Sequence, residues 1–525
     1  MLLLQLLLLT SSLLGDLIFA GSAFSRPRPR PRPLWKGAFD HLTPGLAAVL
    51  DGDPRLKEET VGKVSRLFVY PIKSCRGHEY GPGTSLDILT KGFKYDRHWV
   101  IFASREEGGK GEKLSLREDP RLTWINTHID EEKGVLRIEA SKLANVPDLK
   151  TLEIPLQPSA KEFESWKKVE VEMWGDSSHG RAVDFRKGAV HKWFQDFLDK
   201  AEQKNKAHKE WHQVQLIQHD PSAGLTRKVY EPWKPAHDVN KMKPDEKELY
   251  LENKNLAFQD EYQLHITTES SLHRFNEAMV YLLQNREKDK KGLKLLTDED
   301  RENWKDFSTN EKDEMSFKME LFRPNIVIEG DHYAFAEDSW DMMWLGEESQ
   351  GWQAKIGAIS RCKRCGLIYV DPISSFIRLV PMKVLDLFHH RVKKVDEPNA
   401  KGAEGACFGM MFRPLRLDGK VTSIEDEAEV DEHEARIALE EKERKGKGIL
   451  HYGGSSQEEE LENEKSEPYE KLGAVAIGDT VRARWRPLSE DDEVFRIHAK
   501  ETIEELYARA VKEKKARKER ASTSS

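Results

Sequence analysis

Cysteine is scarce. The chain has 525 residues and 4 cysteines, at positions 75, 362, 365 and 407. So few thiols exclude a disulfide scaffold and fit a reducing compartment. A strong charge of one sign is also missing. Lys and Arg number 84 against 92 Asp and Glu, a formal net charge of -8, which gives no general case for binding nucleic acid. No Gly-x-Gly-x-x-Gly fingerprint links a strand to a helix, and no cysteine run suits a haem or an iron–sulfur cluster. An electron-transfer role would therefore need outside carriers. Long apolar runs are confined to Met1–Phe24, which carries a single charge, Asp16. A spanning helix takes roughly 20 apolar residues, so this run just suffices. Ala20-Gly21-Ser22-Ala23 resembles a signal cleavage site. The nearby positive charges, Arg26, Arg28, Arg30 and Arg32, all follow the run and alternate with prolines. That order favours an uncleaved membrane anchor at 1–24, with the bulk of the chain in the cytosol. A stiff Arg/Pro-rich linker is expected over 25–59.

Half of the cysteines lie in one short stretch, Arg361-Cys362-Lys363-Arg364-Cys365-Gly366. An apolar run follows, read as β, and ends at the Asp371-Pro372 turn. A lone Cys-x-x-Cys reads as half a zinc site, a redox pair, or one metal-binding thiolate with a neighbour. A second pair for zinc is lacking, because Cys75 and Cys407 are isolated. Arg361, Lys363 and Arg364 are expected to favour a thiolate. A soft thiolate beside positive charge suits a soft metal carried by an anionic cofactor.

Other stretches carry polar groups at the mouths of apolar runs. Val64–Tyr70 reads as a strand and delivers the loop Pro71-Ile72-Lys73-Ser74-Cys75-Arg76-Gly77. Lys73 and Ser74 offer donors fit for a phosphate or a polar ring. Arg97 precedes an aromatic, apolar run. If buried it needs an anion, and an ion pair with Asp96 is the structural alternative. Pro120–Ile125 continues a strand-and-turn rhythm through a β domain over 60–185. Trp193, Phe194, Phe197 and Leu198 share a helical face. After a connecting segment at 186–259, Thr268-Glu269-Ser270-Ser271 opens a helix, as a plain N-cap or as an anion site. Arg323 and Asn325 stand at the start of a strand. Charged excursions are expected at 284–315 and 425–470, and a charged helix over 486–525 with Ile503, Leu506, Tyr507, Ala510 and Val511 on one stripe.

Taken together these stretches resemble one family, the MOSC-domain proteins, and within it the amidoxime-reducing molybdoenzymes of the mitochondrial outer membrane. The resemblance rests on the Tyr70-Pro71-Ile72-Lys73-Ser74-Cys75 run, Asp96-Arg97-His98-Trp99 and Arg117-Glu118-Asp119-Pro120-Arg121-Leu122. It also rests on Thr268–Leu272, Phe322-Arg323-Pro324-Asn325, Ala336–Trp340, the cysteine pair with Asp371-Pro372, and Ile477-Gly478-Asp479. It implies a mostly β fold with α+β elements, an N-terminal MOSC β-barrel-type domain followed by a MOSC β-barrel domain over 260–485. It implies a molybdenum cofactor (molybdopterin) whose metal is held by Cys365, also the catalytic position. Lys73, Ser74, Arg97, Arg323, Asn325 and Arg364, with Thr268 and Ser270, fall where the family binds the pterin and its phosphate. The chain departs from the family after Asp371-Pro372, where Ile373-Ser374-Ser375 stands in place of Asp-Thr-Gly. Gly366 likewise replaces a bulky apolar residue.

The function this implies is reduction of small N-hydroxylated compounds such as amidoximes. Electrons would come from a small b-type haem cytochrome and its NADH-dependent flavoprotein reductase, and no nucleic acid is involved. The implied location is the mitochondrial outer membrane, with the endoplasmic reticulum as the alternative. Two rivals stand beside it. One is a sulfur-carrier or cofactor-handling MOSC protein with a persulfide on Cys365. The other is a non-catalytic membrane-tethered scaffold.

Overall fold

A computed structural model describes residues 58–173, 176–202, 210–223, 256–388, 391–393, 404–417, 469–485 and 500–523. The expected anchor at 1–24, nearly all of the linker at 25–59 and nearly all of the insertion at 425–470 lie outside the described residues. Among the described residues no helix is long and apolar enough to cross a membrane. This finding corrects the expectation of a membrane-anchored protein with a transmembrane helix, and with it the mitochondrial or reticular membrane location. The helix with the length to span, Ile503–Thr523 at 21 residues, is crowded with Lys, Arg and Glu, too polar for hydrocarbon.

The chain builds a β-rich fold. Strand β1 (Glu58–Val69) buries Val61, Val64, Leu67 and Val69. Its register slips between Thr60 and Gly62. Gly62 sits at φ +156°, and a Cβ there would meet the Glu329 carbonyl oxygen at 1.9 Å. Only glycine permits that approach. The first half continues with β2 (His78–Glu79), β3 (Ser85–Leu89), β4 (Gly92–Phe93), β5 (Trp99–Ser104) and β6 (Glu112–Lys113). Next come β7 (Ile125–Asp130), β8 (Val135–Ala140), β9 (Leu152–Pro155), α1 (Ala160–Ser165), β10 (Lys168–Met173), β11 (Asp176–Ala182), α2 (Ala189–Lys200) and β12 (His212–His219). A 5-stranded sheet runs β10-β11-β12-β5-β6. Its outer strands β6 and β10 lie against each other, so the sheet curls into a near-barrel. Helix α2 buries Val190, Trp193, Phe194, Phe197 and Leu198, an apolar stripe at helical spacing.

The second half contributes β13 (Leu264–Thr268), α3 (Glu269–Gln284), α4 (Arg286–Lys291), α5 (Asp298–Asn303), β14 (Ile326–Glu329), β15 (Trp340–Glu347) and β16 (Gly351–Lys363). It ends with α6 (Val380–Leu387), β17 (Arg391–Lys393), β18 (Glu404–Leu415), β19 (Lys471–Ala476), β20 (Thr480–Trp485) and α7 (Ile503–Thr523). The path β13-β14-β1-β20-β15-β16-β18 closes on itself, because β18 also pairs with β13. This is a closed barrel, which leaves no sheet edge along its wall. Its first strand in sequence, β1, comes from the head of the other half. A helical layer covers one side. Leu272, Phe275 and Met279 of α3 pack there with Leu506, Tyr507 and Ala510 of α7.

Three local readings change. Pro120–Trp124 is a 3-10 helix, not a strand: Asp119 caps it by accepting from the Arg121 amide at 3.0 Å. The run after Cys365 is also a 3-10 turn, Gly366–Tyr369, with Ile368 fully buried. A short buried apolar run has no period that separates these forms. The stretch 284–315 is not wholly exposed. Leu296, Trp304 and Phe307 enter the helical core, and the buried Asp289 carboxylate pairs with Arg301 at 2.8 Å.

Candidate active site

The candidate site is a cavity of about 430 Å³ where three chain crossings meet. The first is the loop after β1. It runs inward rather than over the surface: Tyr70, Ile72, Lys73, Ser74 and Cys75 are all buried. Its backbone lies beside the stretch before β5. The Lys73 amide donates to the Trp99 carbonyl at 2.7 Å, Arg97 to Tyr70 at 2.8 Å and Trp99 to Pro71 at 3.0 Å. The second crossing is Arg323-Pro324-Asn325, before β14. The third is the end of β16 with the cysteine stretch.

Two arginines and a tyrosine form the centre. The guanidinium groups of Arg97 and Arg323 each lie 4.3 Å from the Tyr70 ring centroid. Asp96, fully buried, accepts two bonds of 2.7 Å from Arg97 and one of 2.9 Å from the Tyr70 amide. The ion-pair alternative for Arg97 is therefore realised, yet Arg97 still lines the cavity. Arg97 also donates to the Arg323 carbonyl at 3.3 Å, and Arg323 to the Cys75 carbonyl at 2.9 Å. Burial, together with the positive Arg97, lowers the Arg323 pKa to about 10. Three cavity residues hold left-handed backbone: Ser74 at φ 70°, Arg97 at 48° and Arg323 at 54°. Such conformations cost of order 1–3 kcal/mol each and gather at functional sites.

The cysteine stretch separates two thiols. Cys362 is buried and takes a 2.9 Å bond from Arg364 Nη1. Burial pushes its pKa up to about 11 despite that guanidinium. The basic flank was expected to favour a thiolate; at Cys362 desolvation wins. Cys365 is the one cysteine of the four that is not buried. It heads the 3-10 turn and receives a hydrogen bond from Arg117. Arg364 donates to the Phe322 carbonyl at 3.0 Å, while its buried Nε has no hydrogen-bond partner among the described residues.

Seven of the expected residues come together around this cavity: Lys73, Ser74, Arg97, Arg323, Asn325, Arg364 and Cys365. Asn325 contributes wall rather than free donors. Its amide donates to the Phe68 carbonyl at 3.2 Å and accepts from the His265 amide at 3.1 Å. Thr268 and Ser270 are not among the lining residues. Thr268 is buried at the helix start, accepting from the Ser271 amide at 3.2 Å and donating to Glu337 at 3.1 Å. Ser270 meets His332 at 3.1 Å. Thr268 is the N-cap of α3, while Ser270 makes no capping bond. Sequence reading passed over Arg117, Asp260, Glu261, Tyr262 and His265, which also line the cavity. Arg117 lay in a recognised motif, but the 256–262 stretch had no motif to mark it.

The turn after Asp371 is held by its own side-chain hydrogen bonds. Asp371 accepts from the Ile373 amide at 3.0 Å and the Ser374 hydroxyl at 2.9 Å. Ser375 itself takes φ 59°. The turn does not line the cavity.

Family comparisons agree with this architecture. The family model "MOSC N-terminal beta barrel domain" matches residues 61–201, and "MOSC domain" matches 253–421. The chain is a two-domain MOSC protein. The near-barrel and the closed barrel are its two MOSC-type domains. It is homologous to mitochondrial amidoxime reducing component 2, at 27% identity to the Rattus norvegicus protein over 70% of this chain and 86% of that one. The Homo sapiens protein is 26% identical over 67% of this chain and 82% of its own length. The molybdenum cofactor sulfurase of Aspergillus oryzae is 23% identical over 66% of this chain, but only 37% of that protein is covered. This MOSC chain is thus related at family level to both kinds of protein.

The residues fit an anionic, phosphorylated cofactor. Lys73, Arg97, Arg323 and Arg364 supply positive charge in a largely buried wall, and Arg364 Nε is a buried donor without an acceptor among the described residues. Among the described residues no group of three or more His, Cys, Asp or Glu side chains is placed to hold a metal ion. A metal site built from protein ligands alone is therefore not shown.

Proposed function

We propose that this MOSC protein is a molybdenum-cofactor-dependent reductase of small N-hydroxylated compounds, amidoximes among them. The observation that carries the reading is Cys365, a half-buried thiol opening into a cavity walled by arginines and a buried lysine. Lys73, Ser74, Arg97 and Arg323 would hold the pterin and its phosphate, with Arg364 beside the ligand position. Cys365 would hold the metal. When bound, the cofactor supplies a two-electron couple.

The chain's own residues bind and orient. Arg97 and Arg323 are braced against Tyr70, so their donors are fixed before any ligand arrives, and preorganised donors lose little on binding. Arg117 keeps the Cys365 sulfur oriented. The net reaction takes R–C(NH2)=N–OH, two electrons and two protons to R–C(NH2)=NH and water. The N–O bond breaks and the oxygen leaves as water. The electrons come from external carriers, for which a small b-type haem cytochrome and its NADH-dependent flavoprotein reductase are the proposed partners.

The relation to sulfurases supports a second reading, in which Cys365 carries a persulfide to a cofactor. One experiment separates the two. Natively purified protein is assayed for molybdenum and pterin fluorescence, then for benzamidoxime reduction with the electron carriers added. Cofactor with turnover supports the reductase. A cyanide-releasable sulfur on Cys365, without turnover, supports the carrier.

A further inference from the structure

Two carboxylates interrupt the cationic wall of the cavity, Asp260 and Glu261. They stand on a stretch held rigidly from behind. The Phe258 amide donates to the Arg97 carbonyl at 2.9 Å. The Gln259 side chain donates to the carbonyls of Lys91 and Asp96, both at 3.1 Å, and accepts from the Ala257 amide at 2.7 Å. Leu256, Ala257 and Phe258 are buried. The two acids are thus presented from fixed backbone. They share the cavity wall with the cysteine stretch. Asp260 acts electrostatically on Arg117, whose guanidinium bonds Cys365, and Glu261 acts on Cys362. Asp260 reaches Lys73 Nζ at 2.6 Å while remaining partly exposed.

Ionised carboxylates only accept hydrogen bonds. A ligand beside Cys365 that brings N–H donors would be matched by them, and one without donors would not. We propose that Asp260, supported by Glu261, selects N-hydroxylated substrates that carry an amino group on the carbon next to the N–OH nitrogen. Amidoximes and N-hydroxyguanidines are of that kind; hydroxamic acids are not. The inference rests on the reductase reading above. Reduction turns a weakly basic amidoxime into an amidine, which takes up a further proton at neutral pH. Positive charge therefore grows on the reacting group as the N–O bond breaks. Contact with a carboxylate strengthens along that path, so it favours turnover as well as binding. A hydroxamic acid yields a neutral amide, which can donate an N–H but develops no positive charge for the carboxylate to meet. A cationic wall alone would disfavour an amidinium product; the two acids offset that repulsion.

The rival explanation is that Asp260 merely holds Lys73. The test uses the full chain with its cofactor, in the wild type and the variants Asp260→Asn, Asp260→Glu and Glu261→Gln. Rates with benzamidoxime and with benzohydroxamic acid are measured with one electron donor and expressed per molybdenum. Calorimetry on the oxidised, non-turning protein reads benzamidine against benzamide. Asp260→Asn should lower kcat/KM for benzamidoxime about tenfold more than for benzohydroxamic acid, the size of one charge-assisted contact. It should weaken benzamidine binding by a similar factor, with partial rescue by Asp260→Glu. An equal loss for both substrates, or a loss of molybdenum in every variant, would overturn the proposal in favour of the Lys73 role. Wild-type protein that reduces neither compound would sink the reductase reading instead. The benzamidine arm would still decide whether the carboxylates recognise an amidine.

Discussion

Cys365 and Arg323 divide the chemistry of the cavity between a ligand and a grip. Cys365 is accessible where Cys75, Cys362 and Cys407 are buried, and burial raises the pKa of each of those three. Cys365→Ala should therefore abolish amidoxime reduction, while Cys362→Ala keeps much of it; turnover per molybdenum checks the pair. Full activity in Cys365→Ala would remove the reductase assignment. Arg323 makes a subtler case. It is a half-buried cation that shares the Tyr70 ring with a second one, Arg97, whose charge opposes its own, and its lowered pKa reports that burden. A group kept for a ligand and not for the fold should be dispensable to the empty protein. Arg323→Met is expected to leave the Tm of cofactor-free protein unchanged or raised, and to lower its molybdenum and pterin content. A Tm drop with full cofactor content would mean that Arg323 is structural. At this scale the legible residues were those in recognisable motifs, because lysine, arginine and cysteine advertise their chemistry. What the sequence hid was occupancy. Asn325 has its amide tied up by Phe68 and His265, and the hydroxyl of Thr268 is taken by Ser271 and Glu337.

Helix α3 begins on a buried carboxyl. Glu337 is fully enclosed between the end of β13 and the first turn of α3. The hydroxyls of Thr268 and Ser271 donate to it at 3.1 and 2.9 Å. Burial is the main cause of its raised pKa of about 8, and the neighbouring Asp338 adds to it. In the unfolded chain the same group titrates near 4.5. Between those values the native state binds the extra proton, so stability falls as pH rises from about 4.5 through about 8, then levels off. Glu337→Gln mimics the protonated form and should remove this component. Thermal melts of wild type and variant should therefore diverge from pH 5 to about 8, the wild type losing more, and hold their separation above that. Parallel curves would mean that Glu337 is already ionised at pH 5. This anchor was not readable from the sequence, since Glu337 lies about seventy positions from the helix that it starts. The helix itself was readable: Thr268 before Glu269 is an N-cap signal, and Leu272, Phe275, Met279 and Leu282 keep helical spacing on the buried face. Pro120–Trp124 misled for the opposite reason. Five buried residues in a row carry no alternation, and only the Asp119 cap reveals the turn.

The two MOSC-type domains share strands, and that decides how the molecule can be divided. The matched segments, 61–201 and 253–421, are separate in sequence. In space β1 stands between β14 and β20 in the wall of the closed barrel, and β20 passes the sheet on to β15. Neither β1 nor β20 lies within 253–421. A fragment cut to that match would lose two adjacent strands and expose the edges of β14 and β15. Val64, Leu67, Val481 and Ala483, all essentially inaccessible, would be missing from the core. Open edges beside an unfilled core favour aggregation over folding. The first domain depends on the far end as well, because β19 pairs with β3. Residues 253–421 expressed alone should therefore be insoluble or lack cooperative unfolding. Residues 58–523 should melt in a single transition, read by calorimetry and near-UV circular dichroism. Adding a 58–201 fragment to 253–421 should not restore a folded complex, because β20 is still absent; restoration needs a third piece that contains 469–485. A stable, cooperatively folding 253–421 fragment would show that the barrel closes by another pairing. The same geometry explains why the cavity needs the whole chain. Lys73 and Arg97 arrive from the first domain, and Arg323 and Cys365 from the second. The barrel strand that brings the first pair to the second, β1, is the one that a cut between the domains would remove.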